Sequence, residues 1–120
     1  MEKVNLNYDY ENDILFFYKA NEDYEFSEIL NKSIAMDFNK NETIIGIEIS
    51  EASKQFRTKK TYLNSVINAN VKVSVDEKDI KLSIKLLVDI HNKETPLKNV
   101  NIVENNDLKI PNIETNMAIV

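Results

Sequence analysis

Strict alternation of apolar and polar residues marks two stretches in the second half of the chain. Apolar side chains occupy every second position over residues 71–75 and again over residues 80–90. A period of two is typical of half-buried β-strands, and a slip of one residue would turn every apolar side chain toward solvent. The pattern therefore predicts an antiparallel hairpin closed at Glu77-Lys78, with the facing pairs Val75–Ile80, Val73–Leu82 and Val71–Ile84.

The first half of the chain predicts a second hairpin followed by a short helix. Alternating apolar residues over 34–38 and 45–49 flank a polar turn at residues 39–42. Ser50 has the side chain of a typical helix N-cap. Because the residues after Ser50 favour about two turns of helix, we expect one helix near residues 50–56.

Residues 14–18, Ile-Leu-Phe-Phe-Tyr, are apolar or aromatic at every position. Such a run favours a central strand whose two faces are both covered. The same residues also fit a strand that presents an aromatic face to an interface, and both interpretations stay open. Before this run, Val4, Leu6 and Tyr8 predict a shorter opening strand.

The strand predicted over residues 80–90 is longer than its hairpin partner. At ~3.3 Å per residue it would extend about 36 Å, whereas most strands have about five or six residues. Its second half therefore needs a cover, which either the tail after Leu97 or a second subunit would provide. A homodimer formed by strand or sheet pairing is accordingly one of the predicted partners.

Polar clusters rich in Asn and Asp separate these runs, since both residue types tolerate turn conformations. The tail, residues 97–120, contains two short β-like runs, and Pro111 favours an edge or a loop. We therefore expect a single domain over residues 1–120 that is mainly β, bordering on α+β. The expected fold is an antiparallel β-meander of about six to eight strands with one short helix near residues 50–56. Breaks are predicted at residues 9–13, 20–24, 39–42, 76–79, 92–96 and 105–107.

Composition excludes several classes of function. The 120 residues contain no cysteine, which excludes disulfides, zinc–thiolate sites, iron–sulfur clusters and thiol nucleophiles. The formal net charge of −5 disfavours nucleic acid as a partner, because neutralising phosphates requires a basic face. The N-terminal residues do not resemble a signal peptide, and no apolar run approaches the ~20 residues that span a bilayer. We therefore expect a soluble, cytoplasmic protein with no membrane partner.

Two single residues have plain structural interpretations. His91 is the only histidine, and no positioned partner that would make it a base is visible, so we expect a solvated side chain. Gly46 is the only glycine, and a phosphate-cradling loop requires several. Within a strand, Gly46 instead predicts the close approach of another backbone or side chain.

Basic residues form two loose groups. Arg57, Lys59 and Lys60 lie in a predicted connecting loop over residues 57–63, and a second group, Lys72, Lys81 and Lys85, lies on the polar side of the long hairpin. Either group could contact an acidic partner or nucleic acid. Solvated lysines that protect exposed strands against aggregation are the favoured interpretation.

The first half of the chain also contains a distinctive order of short motifs. Tyr8-Asp9 precedes Asp13 and an apolar run, and the later motifs are Ile34-Ala35-Met36-Asp37-Phe38, Ile45-Gly46-Ile47-Glu48-Ile49 and Ala52-Ser53-Lys54. Over about residues 4–56 this order resembles the prokaryotic domain-of-unknown-function family 2283. The chain thus divides into a family-like half, 1–56, and an extension, 57–120. The resemblance implies a compact β-rich unit with one short helix and no known activity. Some members of the family are encoded beside small proteins in toxin–antitoxin-like gene pairs, so the resemblance also implies a small protein partner.

Four acidic residues match that pattern: Asp9, Asp13, Asp37 and Glu48. If they converged, their oxygens could hold Mg²⁺ or Ca²⁺, and two close carboxyl groups could perform acid–base chemistry. Alternatively, the aspartates accept hydrogen bonds in turns and Glu48 faces solvent. The structural interpretation is favoured. It assigns no catalytic residue and no cofactor, and it keeps these four acids only as metal candidates.

Together these observations predict a non-enzymatic binding or assembly module, with enzymatic activity left open. The rival hypothesis is a carboxylate-based, metal-dependent hydrolase of a small substrate. A third hypothesis is an antitoxin-like partner or a nucleic-acid-binding protein, which would require both lysine groups on one face.

Overall fold

The computed structural model describes residues 1–119 of the chain. Within these residues there are ten β-strands and two helices of four residues each, so the mainly β class is confirmed and the expected counts of strands and helices are too low. The elements are β1 (Glu2–Asp9), β2 (Ile14–Tyr18), β3 (Phe26–Ile29), β4 (Ile34–Phe38), β5 (Ile44–Ser50), α1 (Ala52–Gln55), α2 (Lys60–Leu63), β6 (Val66–Val75), β7 (Asp79–Ile90), β8 (Lys93–Pro96), β9 (Val100–Asn105) and β10 (Ile113–Ile119).

The strands form a mixed sheet in the order β3-β4-β5-β2-β1-β10-β6-β7-β8, and β9 also pairs with β7. β1 changes partner along its length. Residues 2–4 pair in parallel with β10, whereas residues 5–9 pair antiparallel with β2. This parallel pair corrects the expected all-antiparallel meander, because the last strand returns to lie beside the first. We call β3-β4-β5-β2 with residues 5–9 the first sheet, and the remaining strands the second sheet.

One face of each sheet contributes to a common core. Phe17 and Ile47 of the first sheet belong to the same buried cluster as Val73 and Leu82 of the second sheet. Since successive side chains of a strand point to opposite faces, the residues between these core positions form the outer face of each sheet.

The β6–β7 hairpin has the predicted register, with Val75 opposite Ile80, Val73 opposite Leu82 and Val71 opposite Ile84. The other edge of β7 pairs with β8 along residues 87–90 and with β9 along residues 79–84. The second half of β7 is therefore covered by β8 and by β6, which pairs with β7 as far as Val88, and the tail after Leu97 covers the first half through β9. The homodimer stays a prediction, because the long strand does not need a second subunit as its cover.

The predicted break at residues 92–96 is wrong, because Lys93–Pro96 forms β8. The chain turns instead at His91 and Asn92, whose φ angles of 52° and 65° allow a tight connection between the two strands. His91 is exposed, as expected.

Two local predictions around α1 also need correction. Ser50 ends β5 and is not the N-cap, because Glu51 occupies that position with a φ of 51° and makes no side-chain capping bond. The predicted loop at residues 57–63 contains α2, which is anchored by the buried side chain of Leu63.

The hairpin of β4 and β5 and the strand β2 place the candidate site. A register shift after Asp37 pairs Phe38 with Ile44 and leaves Ile45 without a direct partner. The second strand of this hairpin therefore begins at Ile44, one residue before the predicted start at Ile45. In β2, Leu15 and Phe17 are buried, whereas Phe16 is half-buried and Tyr18 is 44% exposed. The two-sided central strand is therefore wrong. The alternative, a strand with an aromatic outer face, matches the structure.

Candidate binding surface on the first sheet

The acids Asp9 and Asp13 lie at the turn between β1 and β2. The side chain of Asp9 closes the turn by accepting two hydrogen bonds from Asn12, one from its backbone N–H at 3.1 Å and one from its Nδ2 at 2.8 Å. These hydrogen bonds hold the pKa of Asp9 below its usual value. Asp9 therefore has the turn-stabilising role that the structural interpretation expected.

Asp13 joins this turn to α1. Its Oδ1 accepts hydrogen bonds from the Tyr8 hydroxyl at 2.6 Å and the Ser53 N–H at 3.0 Å, and its Oδ2 accepts one from Ser53 Oγ at 2.6 Å. The Ala52 N–H donates to the Asp13 backbone carbonyl at 3.0 Å. The first N–H groups of a helix lack partners within the helix, so Asp13 acts as its cap from 40 residues away in sequence.

The electrostatics of Asp13 agree with this structural role. Partial burial alone would raise its pKa, but the hydrogen bonds from Ser53 and Tyr8 outweigh burial and hold the pKa below its usual value. Burial and the bond to Asp13 raise the pKa of Tyr8. The carboxylate of Asp13 is thus ionised and fully engaged at neutral pH.

Asp37 and Glu48, which we call the acid pair, lie on the outer face of the first sheet. Asp37 is opposite Gly46 and Glu48 is opposite Ala35 in the β4–β5 ladder, which makes the two acids diagonal neighbours. The two side chains are close enough for Asp37 to contribute to the raised pKa of Glu48. Asp37 also accepts a hydrogen bond from Ser27 Oγ at 2.5 Å, and the Tyr24 hydroxyl lies 2.8 Å from that oxygen.

Apolar neighbours explain the raised pKa of Glu48. Glu48 lies between Phe16 of β2 and Ala35 of β4, which are its direct cross-strand partners. Desolvation by burial and, secondarily, the hydrogen bond and negative charge of Asp37 raise the pKa of Glu48 to about 7. With a pKa of about 7, the carboxyl group of Glu48 is about half protonated at neutral pH.

Gly46 provides the space that Asp37 occupies. A Cβ atom at this position would lie 3.0 Å from the Phe17 carbonyl oxygen and 3.1 Å from Asp37 Oδ2. The close approach expected from a lone glycine in a strand is confirmed, and the group that approaches is a member of the acid pair.

The four candidate acids thus fall into two separate pairs, one at the β1–β2 turn and one on the sheet face. Among residues 1–119, no group of three or more His, Cys, Asp or Glu side chains is arranged to hold a metal ion. The convergence of all four acids, on which the metal hypothesis depended, is not found in this part of the chain.

Large apolar side chains surround the acid pair and are open to solvent. Ile29 of β3 is 66% exposed, Tyr24 is 60% exposed and Tyr18 is 44% exposed. Ile29 lies opposite Ala35, and Tyr18 lies opposite Gly46, so both adjoin the acid pair along the ladder. Exposed large apolar side chains grouped on one face are a feature of interaction sites.

A hollow of about 210 Å³ opens beside Glu48 on this face. It lies between the β3–β4 turn and the end of β5. Its lining combines hydroxyl, amide and aliphatic groups with one acidic side chain, Glu48, and one basic side chain, Lys32. The principal lining residues are Ser27, Ile29, Asn31, Ala35, Glu48 and Ser50.

Sequence reasoning missed Ser27, Tyr24 and Ile29, because residues 26–29 were not predicted as a strand. The available signal was weak. The apolar residues Phe26 and Ile29 fall on opposite faces of a four-residue strand, which is too short to show a period of two. In the structure, Phe26 stacks on Phe38 with ring centroids 5.0 Å apart.

The basic residues do not form a comparable site. Lys60 lies over the ring of Tyr10, 4.6 Å from its centroid, so it belongs to the packing of the β1–β2 turn. Lys72, Lys81 and Lys85 are exposed on the outer face of the second sheet. The larger groove there, about 380 Å³, is lined by polar residues that include Lys72, Lys81 and Glu114 and by aliphatic residues that include the exposed Val103.

Comparisons with known proteins identify the family. The family model described as "Protein of unknown function (DUF2283)" matches residues 5–53. An uncharacterised protein of Methanocaldococcus jannaschii is 37% identical over 93 residues, which cover 77% of this chain and 79% of that protein. The chain belongs to the DUF2283 family. The match confirms the resemblance over residues 4–56, and the relative extends the similarity beyond it.

A second relative comes from Methanosarcina mazei and is named a putative hypoxanthine phosphoribosyltransferase. It is 36% identical over 87 residues, which cover 72% of this chain and 70% of that protein. No solved structure matches the chain. In residues 1–119, no helix is long and apolar enough to cross a membrane.

Proposed function

We propose that this DUF2283 protein is a non-enzymatic binding module that docks a protein partner on the outer face of the first sheet. One observation carries the proposal: Ile29, Tyr24 and Tyr18 are exposed around a partly desolvated acid pair. Interfaces favour aromatic anchors surrounded by polar groups, and tyrosine supplies contact area at a low entropy cost.

The contrast between the two outer faces supports this choice. The outer face of the second sheet carries Lys72, Lys81 and Lys85, which are all exposed, with serines and asparagines between them. Such a face is typical of a solvated surface that resists association. The first sheet instead presents the exposed side chains of Ile29, Tyr24 and Tyr18 around the acid pair, which favours it as the docking surface.

The hydrolase hypothesis receives less support from the geometry. Asp9 and Asp13 use their oxygens on Asn12, Tyr8 and Ser53. The acid pair alone provides two carboxyl groups on an open sheet face, whereas catalytic sites are usually concave and exclude water.

The transferase name of the Methanosarcina mazei relative is not extended to this chain. Phosphate groups are commonly bound by a glycine-rich loop at the N-terminus of a helix. Here the only glycine, Gly46, lies in β5 beside the carboxylate of Asp37, where the local charge would repel a phosphate.

Site-specific photocrosslinking in cells of the native species tests the proposed surface. A photoreactive phenylalanine analogue would replace Ile29 on the first sheet or, as a matched control, Val103 on the second sheet. The two aliphatic side chains are 66% and 64% exposed. We expect one adduct of discrete mass from position 29 and none from position 103. Equal adducts from both positions, or none from either, would contradict the proposal.

A further inference from the structure

The first sheet ends at β3, and one side of this strand is open. Among residues 1–119, β3 pairs only with β4, so its other side has no neighbouring strand. We propose that an extended segment of the partner protein adds to β3 as a further strand and packs its side chains on Ile29 and Leu108. This inference rests on the proposed function and specifies the conformation in which the partner binds.

The ladder between β3 and β4 shows which backbone groups of β3 it leaves unused. The Leu30 N–H donates to the Ile34 carbonyl at 2.8 Å, and these two residues continue the register of the ladder. Because hydrogen-bonded and non-hydrogen-bonded pairs alternate along an antiparallel ladder, Glu28 bonds to β4, whereas Ser27 and Ile29 do not. The N–H and C=O groups of Ser27 and Ile29 therefore point to the open side of β3, where they form a template for another strand.

Apolar side chains flank this edge on both faces of the sheet. On the outer face, Ile29 and Tyr24 are exposed, so the edge is continuous with the proposed docking surface. On the inner face, Leu108 is exposed and lines a small hollow together with Phe26 and Glu28. Since the side chains of a strand alternate between the two faces, an added strand would contact both groups. Strand addition takes its affinity from main-chain hydrogen bonds and its specificity from these alternate side chains.

The opposite end of the sheet order is protected against such pairing. The terminal strand β8 begins with Lys93 and ends with Pro96. Lysine and proline on a terminal strand are devices by which natural proteins block strand addition. The sequence of β3, Phe-Ser-Glu-Ile, contains neither residue type. This contrast favours β3 as an edge that binds a partner.

A second copy of the chain is a poorer occupant of this edge. A two-fold, antiparallel contact between two β3 strands that uses both Ser27 and Ile29 places Glu28 opposite the same residue of the copy. Like charges directly opposite each other destabilise a ladder. A register shifted by two residues avoids this contact, but it pairs only one of the two residues that have open backbone groups. The edge therefore fits a segment of a different chain.

A peptide-display selection tests strand addition. A random twelve-residue library would be selected at pH 7.5 on the wild-type protein and depleted on a Ser27→Pro variant. Proline removes the outward N–H of residue 27 and is tolerated where the N–H of an edge strand faces solvent, so the fold should be retained. We expect enriched peptides rich in β-branched and aromatic residues. The synthetic peptide should bind Ser27→Pro about tenfold more weakly than Ser27→Ala, which loses the same hydroxyl but keeps the N–H.

Amide hydrogen exchange gives a second readout, which needs no variant. When the synthetic peptide is bound to the wild-type protein, exchange of the Ser27 and Ile29 amides should slow about tenfold or more, because both N–H groups become hydrogen-bonded. The Glu28 amide is already paired with β4 and should change less. A peptide that only covered side chains of the outer face would not produce this alternation along β3.

Asn101→Pro provides the matched control on the second sheet. The Asn106 N–H donates to the Lys78 carbonyl at 2.8 Å, so the same alternation points the N–H of Asn101 away from β7. A proline there should leave peptide affinity unchanged.

Four results would each overturn the inference: equal affinity for Ser27→Pro and Ser27→Ala, unchanged exchange of the Ser27 and Ile29 amides, no enrichment at all, or self-association of wild type that Ser27→Pro abolishes. A discrete photoadduct from position 29 together with unchanged exchange would leave the binding surface standing and reject only strand addition. Absence of that photoadduct would reject the surface itself.

Discussion

Glu48→Gln should stabilise the protein at neutral and alkaline pH and leave its stability nearly unchanged in acid. In the folded protein, the pKa of Glu48 is raised from 4.5 to about 7 by desolvation and by Asp37. A raised pKa means that the fold disfavours the ionised form. The resulting destabilisation is absent below about pH 4.5, grows between pH 4.5 and pH 7, and is constant above pH 7.

The magnitude follows from the same values. A rise of this size corresponds to about 3 kcal/mol if it is transmitted in full, since each pKa unit is worth about 1.4 kcal/mol. Because Glu48 is only half-buried and solvent screens its charge, we expect about 1 kcal/mol. Glutamine avoids this cost, and its amide can donate a hydrogen bond to the neighbouring carboxylate of Asp37.

Urea denaturation of wild type and Glu48→Gln at pH 4.5, 6, 7 and 8.5 measures the effect. The difference in the free energy of unfolding should increase by about 1 kcal/mol in favour of the variant between pH 4.5 and pH 8.5. Glu114→Gln should show no such increase. A difference that stays constant with pH, or that favours wild type above pH 7, would refute the raised pKa of Glu48.

Three further substitutions test the contacts of Asp13, the packing beside the acid pair and the packing of the tail, each by urea denaturation at pH 7.5. Asp13→Ala should lower the free energy of unfolding by about 2–3 kcal/mol, because it removes the acceptor for Tyr8 and Ser53 and places alanine at a φ of 55°. Asp13→Asn should lower it clearly less, and equal losses in the two variants would contradict the capping role. Gly46→Ala should lose about 1 kcal/mol net, because overpacking against the Phe17 carbonyl and Asp37 outweighs the gain in chain stiffness; a stabilised variant would show that the contact is not tight. Asn106→Ala should lose about 2–4 kcal/mol, because buried Asn106 bonds to the Asp76 carbonyl and to both backbone groups of Ile110, and a loss below about 0.5 kcal/mol would contradict this role.

The elements that sequence reasoning predicted well are those with long periodic patterns. The β6–β7 register follows from alternation over many residues, because any slip would bury lysines and expose valines. The close approach at Gly46 was also predictable, since a glycine inside an apolar strand gives up side-chain packing and often marks a point where another group needs the space.

The parts that were missed depend on contacts between distant residues. Glu51 begins α1 without a cap of its own because the carboxylate of Asp13 serves that purpose, and no local rule reveals a partner 40 residues away. The strand β8 depends on the tight turn at His91 and Asn92. Both residue types tolerate a positive φ, but their presence in the sequence does not predict one.

The candidate site itself was only half visible in the sequence. Asp37 and Glu48 were candidates, but their pairing depends on the β4–β5 ladder, and their separation from Asp9 and Asp13 depends on the order of strands in the sheet. The exposed Ile29 and Tyr24 lie in and beside a four-residue strand whose pattern is too short to recognise.

The central claim is tested most directly by NMR chemical-shift mapping, in which the partner identified by photocrosslinking is titrated into the ¹⁵N-labelled protein. If the outer face of the first sheet is the docking surface, the backbone amides of Ala35 and Glu48 should shift or broaden on titration, while those of Lys72 and Ser83 on the second sheet should not. Shifts confined to Lys72 and Ser83, or shifts spread evenly over both sheets, would contradict it.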